Sequence, residues 1–383
     1  MTIVSTDIPS ISKKRLTTQD SETLYTATQW QLMWWQFRKH RAALIAIGVL
    51  GLMYFLAIFA EPFAVYGPTE RFPRFENAPP TRVRFIDTEG RFRSPFIYSL
   101  KRSIDPQTVR VMFIEDTDEI YPLKFFNAGT PYKLLGVVSA NLRLATVPNG
   151  GPPLFLFGSD HLGRDIYSRT LYGSRISLFI GFGGVFLTFF FGITLGGISG
   201  YLGGVTDEVI MRVIDFMVAI PQIPLWMGLA AAVPRDWPVI RTYFAITLIL
   251  SVIGWGGLAR AVRGKLLSLR EEDFIMAAQV YGASSRRLIF RYLLPNFMSY
   301  LLVNVTISIP FMILGETSLS FLGLGIQPPA VSWGTLLRDA QRLTVVAQRP
   351  WQMIPGIFVV LAVIMFNFIG DGLRDAADPY ARL

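Results

Sequence analysis

Four charged side chains of alternating sign, Asp160, Arg164, Asp165 and Arg169, form the densest group in this sequence that could do chemistry. Carboxylates held next to arginines can act as general acids and bases. The same alternation is typical of local ion pairs and helix caps. We favour ion pairs and caps, because no nucleophile or metal-ligand set accompanies the four residues.

The sequence lacks the parts of a nucleotide site and of a thiolate site. A phosphate-binding loop needs the pattern G-x-x-x-x-G-K-[ST], whose backbone, lysine and hydroxyl each hold part of the nucleotide and its magnesium. The nearest stretch, Gly264-Lys265, has Ala259 at the first glycine position and Leu266 at the hydroxyl position. The chain has no cysteine and two histidines, too few for a histidine metal cage. We therefore predict no catalytic residue, no metal site and no cofactor in this chain, which is not expected to be an enzyme.

The composition that surrounds these residues is typical of a membrane protein. Hydrophobic residues make up 51% of the 383 residues and charged residues 16%, whereas soluble domains have about 25% charged residues. Six apolar runs reach the length of about 17–25 residues that a membrane span requires. They are Ala42–Ala60, Ile176–Ser199, about Val209–Val233, Thr242–Ala259, Phe297–Leu314 and Trp351–Gly370. We predict an all-α polytopic membrane protein with six transmembrane helices.

Two of these runs carry features that bear on helix packing. Arg212 and Asp215, three residues apart in the third run, are predicted to neutralise each other at the membrane surface. Gly192, Gly196 and Gly200 in the second run leave one helix face bare, so that another helix can approach closely. We favour packing within the chain over a dimer interface for this glycine face.

Basic residues predict the orientation of the chain. The flank 38–41 and the arginines and lysines around 260–291 lie on the same side when six spans are counted, and that side should be the cytoplasm. Both termini are then inside: residue 110 should lie outside and residues 20, 280 and 380 inside. The first run lies too far from the start, and is too long, for a cleaved signal peptide, so we expect a retained helix.

Residues 61–157, between the first two runs, are rich in proline and in strand-like patterns. Residues 108–115 alternate apolar and polar side chains with the period of a strand. We predict a small strand-rich insertion on the external side, where long loops are translocated regardless of their charge. Two roles remain open for it: passive packing on the membrane subunits, or contact with a partner that delivers solute.

A polar loop, residues 260–296, separates the fourth and fifth runs. Residues 274–281 are predicted to form a short helix with Ala277 and Ala278 as a small, approachable patch. Gly282 supplies the left-handed conformation that ends a helix. Such a segment cannot lie in hydrocarbon, so it is predicted to be a cytoplasmic loop for a soluble partner. The alternative is a helix break without a partner.

This loop resembles the EAA loop of the membrane subunits of ABC importers. Ala277, Ala278, Gly282 and the Leu294-Pro295 pair fit the pattern, while Met276 replaces its first glutamate. The resemblance implies that the loop couples the chain to ATPase subunits. The residues implied are Glu271, Glu272, Asp273, Phe274, Met276, Ala277, Ala278, Gly282, Ala283, Ser284, Arg286, Arg287, Leu294 and Pro295.

The stretch from Phe157 to Leu178 resembles the signature of the C-type permease of dipeptide, oligopeptide and nickel ABC importers. Later stretches, Gly203–Asp215, Glu316–Gly325 and Gly370–Asp375, resemble the same family, and the resemblance runs from about residue 157 to the end of the chain. The signature residues are Asp160, Gly163, Arg164, Asp165, Ser168 and Arg169.

The resemblance implies a permease subunit of a bacterial inner-membrane importer that forms half of an alternating-access pathway for peptides or peptide-like solutes. It also implies a homologous second permease, two ATPase subunits that carry ATP and magnesium, and a periplasmic or extracellular solute-binding protein. We expect membrane lipid around the spans and no nucleic-acid partner. The cargo stays open among dipeptide, longer peptide, opine-like conjugate and nickel chelate.

The alternative function is an ion-coupled secondary transporter, for which Glu316 would be the candidate intramembrane carboxylate. In the importer interpretation, residues 1–41 form a cytoplasmic segment and residues 42–60 the first helix. Residues 61–157 form the external insertion, and residues 158–383 the permease core with the coupling loop 260–296.

Overall fold

The computed structural model describes residues 28–104, 106–107, 111–148, 150–284, 287–288, 291 and 297–377. Five strands lie between the second and fourth helices: β1 (Arg84–Ile86), β2 (Phe92–Ile104), β3 (Val111–Pro122), β4 (Lys124–Leu134) and β5 (Val138–Thr146). The α-helices are α1 (Gln29–Phe37), α2 (Arg41–Ile58), α3 (Ala60–Phe63), α4 (Ile166–Leu202), α5 (Gly204–Ala219), α6 (Gln222–Ala231), α7 (Val239–Arg270), α8 (Asp273–Val280), α9 (Met298–Phe321), α10 (Trp333–Ala340), α11 (Leu343–Gln348) and α12 (Ile354–Ala377).

Five helices of the described ranges, α2, α4, α7, α9 and α12, are long and apolar enough to cross a membrane. Together, α5 and α6 pass the same test but are bent by 90° at a short break. Pro221 lies in this break, and its ring removes a backbone N–H donor and so interrupts the helical hydrogen bonds. Six spans are therefore present if the bent pair counts as one, and the third is broken at Pro221.

The second span begins ten residues earlier than predicted, at Ile166 instead of Ile176. Asp165 caps it, because a carboxylate oxygen accepts the backbone N–H of Ser168 at 2.8 Å. The helix then continues for 37 residues to Leu202, and Gly203 follows with a φ of +67°. Asp165 of the charged signature is thus the N-cap of a membrane-spanning helix, and Arg169 lies in its first turns.

The glycine face of α4 packs against α7 of the same chain, as predicted. A Cβ atom built on Gly196 would lie 2.5 Å from the carbonyl oxygen of Ala259, and one on Gly200 would lie 3.0 Å from that of Arg263. No side chain fits in these gaps, so the two backbones touch directly. This close contact is the form of packing that substitutes for hydrophobic drive inside a membrane.

The core of the bundle lies where the five straight spans meet. Each span contributes at least one buried side chain to a common cluster, for example Ala46, Leu178, Leu250, Ile313 and Phe366 from α2, α4, α7, α9 and α12. The packing of these five helices fixes the relative positions of the two candidate sites at the opposite ends of α4 and α7.

The predicted strand-rich insertion between the first two spans is confirmed. Strands β1, β2 and β3 form an antiparallel sheet in that order, and β4 and β5 form a separate antiparallel hairpin. Ile97, Leu123 and Leu154 pack in its interior with Val65. Residues 108–110 of the predicted alternation lie outside the described residues, and β3 begins immediately after them.

Two arginines tie this insertion to the membrane helices. Arg143 of β5 is buried and donates from Nη1 to the carbonyl oxygens of Glu61 and Ala64, at 3.1 and 2.7 Å. Arg175 of α4 donates from Nη1 to a carboxylate oxygen of Glu61 at 2.6 Å. The boundary at residue 61 is therefore part of a shared buried network and not a free linker.

Candidate functional site

The predicted short helix of the coupling loop is present as α8, from Asp273 to Val280, shifted one residue from the prediction. It packs on the C-terminal end of α7 through Ile275 and Ala278, which are both buried. These two side chains join a cluster with Leu258 and Leu266 of α7. The helix is therefore seated on a membrane span.

Gly282 ends α8 in the left-handed conformation, with a φ of +78°, as predicted. The backbone N–H of Ala283 donates to the carbonyl of Ala278 at 3.0 Å, which is the long hydrogen bond of a Schellman cap. A Cβ atom on Gly282 would meet no atom of the described residues within 4 Å. The glycine is thus required by backbone conformation and not by lack of space.

The outward face of this loop is apolar and aromatic. Val280 is 87% exposed and Tyr281 91% exposed, and the side chains of Phe274 and Met276 are also exposed. Exposed groups of large apolar side chains are typical of surfaces that contact another protein or a membrane. We call these four residues the α8 surface.

The structure divides the residues predicted for coupling into three groups. The predicted Ala277–Ala278 patch is wrong as a pair, because Ala277 is exposed whereas Ala278 is buried in the chain's own cluster. Arg286, Leu294 and Pro295 lie outside the described residues. The exposed residues of the set are Glu271, Glu272, Asp273, Phe274, Met276, Ala277, Gly282, Ser284 and Arg287, and Ala283 is half-buried.

The charged signature forms an ion-pair cluster at the other end of α4. Asp160 accepts hydrogen bonds from Nε of Arg164 at 2.7 Å and from Nη1 of Arg169. Asp339 of α10 completes it, with an oxygen 3.3 Å from Arg164 and 3.6 Å from Arg169. Two carboxylates and two guanidinium groups balance in this cluster, which agrees with the predicted ion pairs.

The two small residues of the signature hold the insertion in place. A Cβ atom on Gly163, whose φ is +71°, would lie 2.2 Å from the carbonyl oxygen of Phe72. The hydroxyl of Ser168 accepts the backbone N–H groups of Val65 and Tyr66, each at 3.0 Å. The signature therefore joins the insertion, the start of α4 and α10 in one structural clamp.

Asp165 is the most strongly perturbed carboxyl group of this clamp. Its side chain is buried, and burial raises its pKa to about 7, although its hydrogen bonds with Ser168 act in the opposite direction. One of its oxygens has no hydrogen-bond partner. Its role in the described structure is to cap α4, which agrees with the predicted helix cap.

Within the described ranges, one group of side chains has the spacing of a metal site: Asp160, His161 and Asp339 place potential ligand atoms within 4.8 Å of one another. Both carboxylates already face Arg164 and Arg169. A cation entering this group would meet two fixed positive charges, so the arrangement does not favour metal binding.

Glu316 is fully buried within α9, five residues before its end. Its carboxylate accepts hydrogen bonds from the hydroxyls of Ser177, at 3.1 Å, and of Ser320, at 2.7 Å. The Ser177 oxygen in turn accepts the backbone N–H of Trp333 at 3.0 Å. The carboxylate therefore connects α4, α9 and α10, and its contacts are those of a structural tie.

The ion pair predicted between Arg212 and Asp215 is wrong. Asp215 instead pairs with Arg260 of α7 at 2.6 Å, and Asp207 pairs with Arg263 at 2.6 Å. Both contacts cross from α5 to the C-terminal end of α7. Sequence reasoning also missed Asp339, because it lies 175 residues from its partner Arg164 and no local pattern marks it.

The spans define a multi-pass membrane protein, with the clamp at one end of the bundle and the α8 surface at the other. The sequence profile of the binding-protein-dependent transport system inner membrane component family matches residues 192–383. That of the N-terminal TM domain of oligopeptide transport permease C matches residues 28–80. The chain belongs to the family of inner-membrane components of binding-protein-dependent transport systems, which are transport permeases.

Several curated relatives are similar to this chain. The oligopeptide transport system permease protein OppC of Bacillus subtilis (strain 168) is 40% identical over 227 residues, which are 59% of this chain and 72% of the relative. The dipeptide transport system permease protein DppC of the same organism is 40% identical over 227 residues, 59% of this chain and 69% of the relative. OppC of Haemophilus influenzae is 41% identical over 59% of this chain and 70% of its own length.

Among solved structures, an inward-facing form of the MetNI methionine ABC transporter is similar at a TM-score of 0.43 and 19% identity. The matched part is 55% of this chain and 96% of that chain.

Proposed function

We propose that this chain forms half of the translocation pathway of an ABC importer for peptides or peptide-like solutes. The partners would be a homologous second permease, two ATPase subunits and an external solute-binding protein. The peptide class is supported by relatives at 40% identity that are named as oligopeptide and dipeptide permeases. ATP and magnesium would be held by the partner ATPases.

The observation that carries this proposal is the α8 surface. Val280 and Tyr281 extend almost fully exposed from a helix whose other face, through Ile275 and Ala278, is buried against α7. An ATPase that grips this surface pushes directly on a membrane span. In this proposal, ATP-driven closure of the two ATPases moves α8, α7 follows, and the pathway turns outward to receive solute.

The orientation is supported by the basic residues at the same end of the bundle. Arg260 and Arg263 near the inner end of α7, and the run 38–41 before α2, lie at the end of the bundle that carries α8. Basic residues concentrate on the cytoplasmic side of membrane proteins. Both termini and the coupling loop 260–296 would then face the cytoplasm, and the insertion 61–157 would face outward.

The insertion is our candidate contact for the solute-binding protein. Its β4–β5 hairpin is anchored on α3 through Arg143, and its base is fixed by the signature clamp. A partner seated on this insertion would touch a body rigidly joined to the outer end of α4. Because Glu61 also holds Arg175, deletion of the whole 61–157 segment would damage the core, whereas removal of residues 124–146 would leave that ion pair in place.

The test is transport by purified components in proteoliposomes. Labelled peptide uptake is expected only when the second permease, both ATPases, the binding protein and ATP are all present. The isolated chain is expected neither to bind nor to hydrolyse ATP. Uptake that follows a proton or sodium gradient without ATP would contradict the proposal and favour a secondary transporter. Mass spectrometry of the solute that co-purifies with the binding protein would identify the cargo.

A further inference from the structure

Helix α1 contacts the ends of three spans. Phe37 packs with Ala43 of α2 and Ala376 of α12. A Cβ atom on Gly372 of α12 would lie 3.2 Å from the Phe37 ring, so the corner between α1 and α2 fills the space beside this glycine. Near the start of α9, the hydroxyl of Ser299 lies 3.4 Å from the sulfur of Met33. These three contacts place α1 level with the ends of the bundle.

One face of α1 packs on the spans, and the start of the helix is capped. Thr28 and Gln31 form a reciprocal capping box at its start, with hydrogen bonds of 2.8 and 3.4 Å. Met33 and Phe37, one turn apart, are buried against the spans. Only one face of α1 is therefore used by the chain's own core.

The face beside this buried one carries three tryptophans. Trp30, Trp34 and Trp35 are 58%, 55% and 43% exposed, and the helical spacing of about 100° per residue puts them within one arc with Arg38. Tryptophan rings concentrate at the boundary between hydrocarbon and headgroups, where an apolar ring with one N–H donor is best solvated. On the neighbouring span α2, Ile45 is 65% exposed.

The charges that follow this face along the chain are positive, and Asp375 of α12 lies 3.7 Å from His40 beside them. Arg38, Lys39 and Arg41 follow the tryptophans, and the sequence contains no acidic residue from 23 to 60. A polybasic segment next to a span attracts anionic lipids. The combination of an indole face, a basic flank and an adjoining span is that of an amphipathic helix lying in the membrane interface.

We propose that α1 is an interfacial helix whose Trp30–Trp34–Trp35 face inserts among phospholipids while Arg38, Lys39 and Arg41 bind anionic headgroups. The partner is the lipid surface itself and not another subunit. Bound in this way, α1 anchors the α1–α2 connection that packs beside Gly372. It thereby fixes how deeply the ends of α2, α9 and α12 sit in the membrane.

The test uses the absence of cysteine from the chain. Trp34→Cys, and separately Trp30→Cys in case one variant folds poorly, would carry an environment-sensitive NBD label in the complete transporter reconstituted in nanodiscs. Glu89→Cys, in the exposed turn between β1 and β2, is the control. Quenching by shallow spin-labelled phospholipid and by aqueous iodide would be compared at each site.

At the α1 positions we expect strong quenching by spin-labelled lipid and protection from iodide, and the reverse at Glu89. Quenching by iodide alone would overturn the proposal, because α1 would then face water. Protection from both quenchers would also overturn it, because a protein surface would then cover the tryptophans.

The charge requirement has its own test. Spin-labelled phosphatidylglycerol should quench the α1 label at least about twofold more than spin-labelled phosphatidylcholine. Arg38→Gln with Lys39→Gln should remove this preference, whereas Arg235→Gln with Arg241→Gln, at the opposite end of the bundle, should leave it unchanged. Equal quenching by the two lipids in the unaltered chain would refute the anionic-lipid site.

Discussion

Replacement of Gly282 by valine tests whether the α8 loop couples ATPases to transport. Gly282 has a φ of +78°, and the N–H of the next residue closes the cap on Ala278 at 3.0 Å. Valine cannot occupy this conformation without strain. Since no atom of the described residues lies within 4 Å of a Cβ at this position, the substitution adds conformational strain but no steric clash.

The free-energy cost of Gly282→Val can therefore be estimated from backbone strain alone. Holding a residue with a Cβ in the left-handed region costs about 1–2 kcal/mol. If the loop relaxes into another conformation instead, the form that the ATPase recognises falls about five- to thirtyfold in population. The apparent affinity of the ATPase for the permease should weaken by the same factor, and peptide uptake should fall with it.

Gly264 provides the matched control. It lies in α7, is exposed, and also has no atom within 4 Å of a Cβ, but it has no positive φ. Gly264→Val introduces the same atoms into a helix, where valine is slightly better tolerated than glycine. Gly282→Asn should restore much of the loss, since asparagine tolerates the left-handed region.

The assays are co-purification of the ATPases at graded concentrations and ATP-driven uptake in proteoliposomes, with membrane yield as a measure of folding. Gly282→Val should lose both activities at normal yield, and Gly264→Val should lose neither. Equal uptake and ATPase retention in the two valine variants would refute coupling through this loop.

Three further outcomes are expected. Asp160→Asn should lower the unfolding temperature in detergent, because it leaves Arg169 buried without its nearest carboxylate at a cost of about 3–5 kcal/mol; an unchanged temperature would mean that the clamp is not structural. Since burial raises the pKa of Asp165 to about 7, its folded form binds a proton more readily than the unfolded chain, so stability should fall as pH rises from about 4 to about 7. The melting temperature should thus be lower at about pH 8 than at about pH 6, and Asp165→Asn should reduce this difference; a difference that survives the substitution assigns it to other groups. A membrane-impermeant thiol reagent applied to intact cells should label Glu89→Cys and not Val280→Cys, and labelling of Val280→Cys would reverse the proposed orientation.

The sequence was sufficient to predict the spans, because hydropathy over about twenty residues reports lipid contact directly. It placed the start of the second span at Ile176, since the polar turns from Ile166 onward do not look apolar. Those turns are helical because Asp165 caps them and because Asp160 and Asp339 neutralise Arg169. A hydropathy score treats each side chain by itself. It therefore cannot detect that a charged side chain is neutralised by an ion-pair partner in the folded chain.

Some features of the candidate sites could be predicted from the sequence and others could not. Gly282 was identified correctly, because a glycine that ends a helix is a local signal. The pairing of Asp215 with Arg260 was not, since a contact across 45 residues depends on how α5 returns beside α7. The exposure of Ala277 and the burial of Ala278 likewise depend on which side of α8 faces the spans. That side is set by Ile275, which packs in the cluster on α7.

The contact of the α4 glycine face with α7 has a mechanical consequence. Gly196 and Gly200 bring the two backbones together without intervening side chains, so there is no soft layer in which the helices could slip. The pair behaves as a stiff beam, and α4, with 37 residues, spans about 55 Å. One end of this beam lies near the α8 surface and the other ends in the Asp160 clamp beneath the insertion. A small tilt forced at the inner end is therefore delivered as a lateral displacement at the outer end, with little of the motion lost to compression between them.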